Sequence, residues 1–218
     1  MNVVFGAGGV ALEVAWLMHE ATGSKDPHGM TPDVFVTADT QWSVGQSIDG
    51  IPVIRESDLF ASPPKVSFNS YLAIGQPVIK RAIVSRIRDK LTCKFPNLIH
   101  PSTPLDGRAG KTHLGQGVII YPAASLTTCV SIGDFVHINP SANVAHGAQI
   151  GDFSTLCPGS TICGNVIVGE ACFIGAGAVV KDGVRIADGC TIGAGAVVVS
   201  DIAESGTWVG LPARKTLT

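Results

Sequence analysis

Residues 132–152 read IGDFVHINPSANVAHGAQIGD, and the register of that stretch decides the fold. Ile132, Ile138, Val144 and Ile150 stand six apart. Stepping by six in both directions gives Leu, Ile or Val at all fifteen positions from Leu114 to Val198. Four places after each lies another small or aliphatic side chain, among them Val118, Ala124, Val136 and Ala148. An α-helix cannot produce a period of six, and a hairpin sheet carries less regular turn signals. The period predicts a parallel β-helix.

A longer repeat contains the short one. Leu114-Gly115-Gln116, Ile132-Gly133-Asp134, Ile150-Gly151-Asp152, Val168-Gly169-Glu170 and Ile186-Ala187-Asp188 recur every 18 residues. Three hexapeptides thus form one triangular coil, and Leu114 to Ala203 supplies five coils. Stacked coils are expected about 4.8 Å apart, with residues 18 apart as vertical neighbours. The aliphatic first and small fifth positions point inward, filling a narrow prism. Glycine is expected at the corners, where it permits tight turns. Cys172 and Cys190, 18 apart and inward, read as two stacked core thiols in preference to a disulfide.

Composition agrees with such a prism. Of 218 residues, 45% are hydrophobic and only 15% charged, and 14 of the 26 glycines lie between 114 and 203. Mean hydropathy is +0.34, yet no run approaches the ~20 apolar residues of a membrane-spanning helix. A chain this aliphatic is not disordered. The net charge of −2 gives no footprint for nucleic acid or an anionic membrane. Six cysteines with no CxxC pair read as buried thiols of a reducing cytoplasm, and no signal peptide is read in the first residues.

The first 95 residues read differently. Asn2-Val3-Val4-Phe5 is a buried strand, followed by Gly6-Ala7-Gly8-Gly9 and an amphipathic helix over about Val10–Thr22. A glycine-rich turn between strand and helix is a phosphate site by virtue of the helix amides, or simply a tight turn. After a polar loop over Gly23–Pro32 come short strands at Val34–Val36, Ile51–Ile54 and Tyr71–Gly75, then a basic amphipathic helix over Pro77–Leu91. Two domains follow: 1–95, a small α/β Rossmann-like βαβ unit, and 96–218, the β-helix with a C-terminal tail.

The chain resembles the sialic acid O-acetyltransferase and nucleotide-linked amino-sugar N-acetyltransferase family of left-handed β-helix hexapeptide acyltransferases. The matching residues are Gly6-Ala7-Gly8-Gly9, Ala73-Ile74-Gly75, Asn97-Leu98-Ile99-His100-Pro101, residues 132–139 and Val209-Gly210-Leu211-Pro212-Ala213-Arg214, in the family's order. The resemblance implies a left-handed helix, a homotrimer, acetyl-CoA as co-substrate bound between neighbouring helices, and a nucleotide sugar held by the first domain. It implies substrate contacts at Gly8, Gly9, Val10, Gly75 and Asn139. Acetyl-CoA contacts are implied at Thr155, Ala176 and Ala194, the alanines in Gly175-Ala176-Gly177 and Gly193-Ala194-Gly195.

Acetyl transfer needs a base for the attacking amine or hydroxyl and donors for the developing oxyanion. The family's spacing of asparagine, histidine and Ile-Gly corner is approached by Asn139, His146 and Ile150-Gly151, the last step being four residues here instead of five. With the spacing from His100, the resemblance implies His146 as the catalytic base; otherwise it is a solvent-facing coil residue. His137 is read as an interface or corner residue, and no metal site is read. Gly164, one coil beyond His146, is the candidate amide donor to the thioester oxygen, or else a tight turn. Where the family carries an acidic residue after the base, this chain has Gly147; Thr155 and Val10 replace family histidines. The expected activity is acetyl transfer to the amine of a nucleotide-linked amino sugar. The alternatives are sugar O-acetylation of the sialic-acid type and a non-catalytic trimeric scaffold.

Overall fold

The computed structural model describes residues 1–21, 30–38, 46–105 and 112–216. The chain divides into two compact units, Met1–Gly75 with Ile79–Leu98, and Gln76–Val78 with Ile99–Thr218. The predicted loop at 23–32 lies mostly outside the described residues.

In the second unit the hexapeptides form two-residue strands, three residues at Cys190–Ile192, each followed by a turn. Strands pair in parallel with the strand 18 residues on, as in Ser125↔Asn143, Asn143↔Thr161, Thr161↔Val179 and Val179↔Val197. Two faces hold five such strands each, and the third is extended to eight. The periodic aliphatics line the interior: Ile138, Val144 and Ile150 are 0%, 1% and 3% exposed. Burial of each such side chain stabilises by about 1.5–3 kcal/mol, which fixes the register.

The corners use glycine differently from expectation. At every sixth residue from Gly117 to Gly195, φ is positive, between 51° and 73°. Many of these residues, including Ala123, Phe135, Phe153 and Asn165, are not glycine. The left-handed conformation costs an L-residue roughly 1–2 kcal/mol, and bonds between coils hold it there, as where the Asn165 amide donates to the His146 carbonyl at 2.8 Å. The glycines of the Ile-Gly corners answer to close stacking instead. A Cβ on Gly151 would stand 2.5 Å from the carbonyl carbon of Gly169 and 2.6 Å from the Glu170 nitrogen.

All six cysteines are free thiols, and only Cys172 and Cys190 are fully buried. Cys129 is exposed, contrary to the expectation of a buried set, because it sits on a left-handed corner. Cys172 and Cys190 direct their sulfurs to separate carbonyls, of Ala187 at 3.2 Å and Glu204 at 3.4 Å. Burial pushes the Cys172 thiol up to about 12.

The C-terminal segment is more than a tail. Gly206–Val209 joins the third face as a parallel strand, pairing Thr191↔Thr207, and Arg214–Lys215 folds back antiparallel on it.

The first unit is a six-stranded sheet. Its strands are β1 (Asn2–Phe5), β2 (Val34–Thr37), β3 (Ser47–Ile48), β4 (Ile51–Arg55), β5 (Phe68–Leu72) and β6 (Cys93–Lys94), in the order β3-β4-β2-β1-β5-β6. All neighbours are parallel except the β3–β4 pair. Three helices accompany them: α1 (Gly9–Ala21), α2 (Glu56–Ala61) and α3 (Pro77–Lys90). The strand predicted at Tyr71–Gly75 lies earlier, and α2 and β3 were not foreseen. Helix α3 is less simply basic than its sequence reads. Its buried stripe is Lys80, Ile83, Val84 and Ile87, and burial lowers the Lys80 ammonium well below its usual range.

Candidate functional site

His146 follows the strand Asn143–Val144, where the chain turns to the next face. Corner residues project away from the core, so the imidazole is exposed. It opens onto a groove whose lining includes Thr127, Asn143, Thr161, Cys163, Gly164 and Asp182. Among the described residues none hydrogen-bonds the ring, leaving a nitrogen lone pair available to take a proton.

Gly164, one coil on, lies directly against the ring. A Cβ on Gly164 would stand 2.5 Å from His146 Cε1 and 2.7 Å from Nε2. The Gly164 amide does not point free into the groove: it donates to Asp182 Oδ1 at 2.5 Å. Asp182 escaped the sequence reading, although the step of 18 that selects Gly164 reaches it one coil later. Cys163 is the thiol of this groove. Burial, and next the charge of Asp182, push it up, so it stays protonated and is a poor nucleophile.

Gly147 has a local explanation. Its φ is +69°, and a Cβ there would collide with the Asn165 side-chain oxygen. An acidic side chain in that place would be strained and obstructed.

The other predicted residues do not gather around His146. Ala176 and Ala194 are exposed in stacked turns, joined where the Gly195 amide donates to the Ala176 carbonyl at 2.8 Å. These turns precede Val179–Val180 and Val197–Val198, whereas His146 and Gly164 follow strands of the same face. The two groups therefore occupy opposite edges of one face. Asn139 shares the alanine edge, and its Nδ2 donates to the Leu156 carbonyl at 2.8 Å. Thr155 pairs in register between His137 and Phe173 and is 2% exposed, so as a strand residue it offers a ligand almost no surface. His137 is likewise a strand residue and 1% exposed, not a corner. Lys215 and Arg214 are engaged in the fold: Lys215 pairs with Glu204 at 3.0 Å, and Arg214 donates to the Ala213 carbonyl at 2.8 Å.

In the first unit, Gly6, Gly8, Gly9, Val10 and Gly75 lie beyond the carboxyl ends of β1 and β5. Strand order reverses between those two strands, the place where open α/β sheets bind ligands. Gly6 is structural, with φ +131° and a Cβ that would meet the Ala73 carbonyl oxygen at 2.6 Å. Gly8, Gly9 and Gly75 face open space. Among the described residues no cluster of three or more metal-ligating side chains forms, and no helix is long and apolar enough to cross a membrane.

The family profile described as bacterial transferase hexapeptide (six repeats) matches residues 129–164 and 165–200. Perosamine N-acetyltransferase from Caulobacter crescentus, solved with CoA and GDP-perosamine, is 30% identical with a TM-score of 0.85, over 99% of this chain and 96% of that one. The acetyltransferase domain of PglB from Neisseria gonorrhoeae, in complex with acetyl coenzyme A, is 31% identical with a TM-score of 0.82, over 99% and 98%. WeeI from Acinetobacter baumannii is 26% identical with a TM-score of 0.79, over 99% of both chains. Comparison with curated protein sequences finds no match.

Proposed function

Because the chain belongs to the sialic acid O-acetyltransferase and nucleotide-linked amino-sugar N-acetyltransferase family of left-handed β-helix hexapeptide acyltransferases, we propose that it acetylates the amine of a nucleotide-linked amino sugar. It is an acetyl-CoA-dependent sugar acetyltransferase. The choice of an amine acceptor is supported by the whole-chain likeness to an enzyme solved with GDP-perosamine. Gly8, Gly9, Val10 and Gly75 are the proposed contacts to the nucleotide, with Asn139 as a further substrate contact.

The observation that carries the mechanism is the exposed imidazole of His146, standing against the Gly164 backbone in a groove. The acceptor nitrogen attacks the thioester carbonyl carbon while His146 takes one of its protons. A C–N bond forms, the carbonyl oxygen gains charge, and the Gly164 amide is the proposed donor for it. The C–S bond then breaks, and the CoA sulfur leaves with the proton returned by the imidazolium. Direct attack fits a groove whose thiol, Cys163, is held protonated.

Ala176 and Ala194 are the proposed contacts to the acyl donor. They lie across a whole face from His146 within one chain, so a complete site needs the alanine edge of one copy beside the histidine edge of another. A homotrimer, located in the cytoplasm, meets that need.

The test is a thiol-release assay with acetyl-CoA and a panel of nucleotide amino sugars. One of them is turned over by the wild type, and His146→Ala lowers kcat by about 10²–10⁴-fold while acetyl-CoA still raises the melting temperature. Undiminished turnover by that variant overturns the mechanism. Acetylation of hydroxyl sugars alone would move the acceptor assignment to oxygen.

A further inference from the structure

Three groups on successive coils meet in the lining of the groove: the His146 ring, the Gly164 amide and the Asp182 carboxylate. The point where a Gly164 Cβ would stand is 2.7 Å from His146 Nε2 and 3.1 Å from Asp182 Oδ1. The amide itself donates to that same Oδ1 at 2.5 Å. An amide bonded to the carboxylate 18 residues on also occurs on another corner, at Gln116 to Asp134, Asp134 to Asp152 and Glu170 to Asp188. There it ties coil to coil. At Gly164 the same bond occupies the donor that stands beside the base.

We propose that Asp182 sets the discrimination between acylated and free CoA by holding the Gly164 amide closed. The inference rests on the acetyltransferase reading above and adds a residue to it. One N–H makes one good hydrogen bond, and a carboxylate is a stronger acceptor than a thioester carbonyl. The thioester oxygen reaches this amide only by displacing Asp182. The displacement is also required chemically, because a carboxylate left on the amide would repel the oxyanion and withhold its donor. Free CoA has no carbonyl at that place and binds without opening the contact. Asp182 therefore weakens acetyl-CoA relative to CoA, and it moves aside when the acyl group docks.

Calorimetric titration of the full-length protein with acetyl-CoA and with CoA tests this, using wild type, Asp182→Asn and Asp182→Ala. The Ala variant frees the amide, and its acetyl-CoA affinity relative to CoA rises about tenfold, the worth of one charge-assisted bond no longer displaced. The Asn variant keeps a weaker, neutral acceptor for the amide, and so keeps the coil contact; its ratio falls between the other two. Taking the ratio to CoA removes the general effect of losing a negative charge. An unchanged ratio across the three proteins, with both ligands binding, overturns the role of Asp182 and leaves the acetyltransferase reading standing. If neither ligand binds the wild type, that reading falls and the role of Asp182 falls with it.

Discussion

His146 keeps its place because Gly164 has no side chain. A methyl group there would lie 2.5 Å from the imidazole Cε1, well inside van der Waals contact. The ring is exposed and on a flexible stem, so it swings aside at small cost in stability. Gly164→Ala should therefore leave the melting temperature within a degree or so of wild type while kcat/KM falls about 10²-fold, the scale of a reacting group misplaced by an ångström. Full activity in the Ala variant would mean that the ring position is unimportant. Residue positions inside the repeat were readable because the step of 18 is geometric: it led from His146 to Gly164, and one more step reaches Asp182. What the step cannot report is which way a side chain faces. The family resemblance implies an acyl-donor contact at Thr155, yet Thr155 lies in a strand with almost no exposed surface. Lys80 belongs to a helix that reads as basic and amphipathic, and it is the first member of the buried stripe.

At the scale of the coil, two kinds of glycine do different work, and substitution separates them. Gly151 has neighbouring backbone where a Cβ would go, at 2.5 Å and 2.6 Å, so Gly151→Ala must push two coils apart. The expected loss is about 2–3 kcal/mol, the upper part of the range for overpacking. Gly159 faces open space but has a φ of +68°, so Gly159→Ala costs only about 1 kcal/mol, the left-handed penalty. Denaturant unfolding of both variants measures the order, and an equal or reversed order would show that stacking does not govern the corners. The strands were legible because an inward position tolerates only apolar side chains. The left-handed turns were not, since alanine, phenylalanine and asparagine also occupy them, held by hydrogen bonds to the adjoining coil. In the first unit, β1 and α1 were readable within a residue at each end. Helix α2 was not: six residues are too few to display a period.

At the scale of the whole molecule, the proposed site needs an arrangement that a single chain does not contain. His146 and Gly164 follow the strands of one face, while Ala176 and Ala194 precede strands of that same face. If sites form between copies, two inactive variants can repair one another. His146→Ala lacks the proposed base, and Ala194→Trp fills the exposed turn proposed to meet the acyl donor with an indole. Each should be inactive alone as a homotrimer. In trimers assembled from an equal mixture, a site works only where an intact histidine edge meets an intact alanine edge from the neighbouring copy. Random assembly with closed cyclic symmetry gives that pairing at about a quarter of the sites. Thiol release by the mixture should thus recover to about a quarter of the wild-type rate. Absence of recovery, with co-purification through an affinity tag on one variant showing mixed trimers, would place both edges of each site on one chain, and the acyl donor would then have to lie across the face instead of between copies.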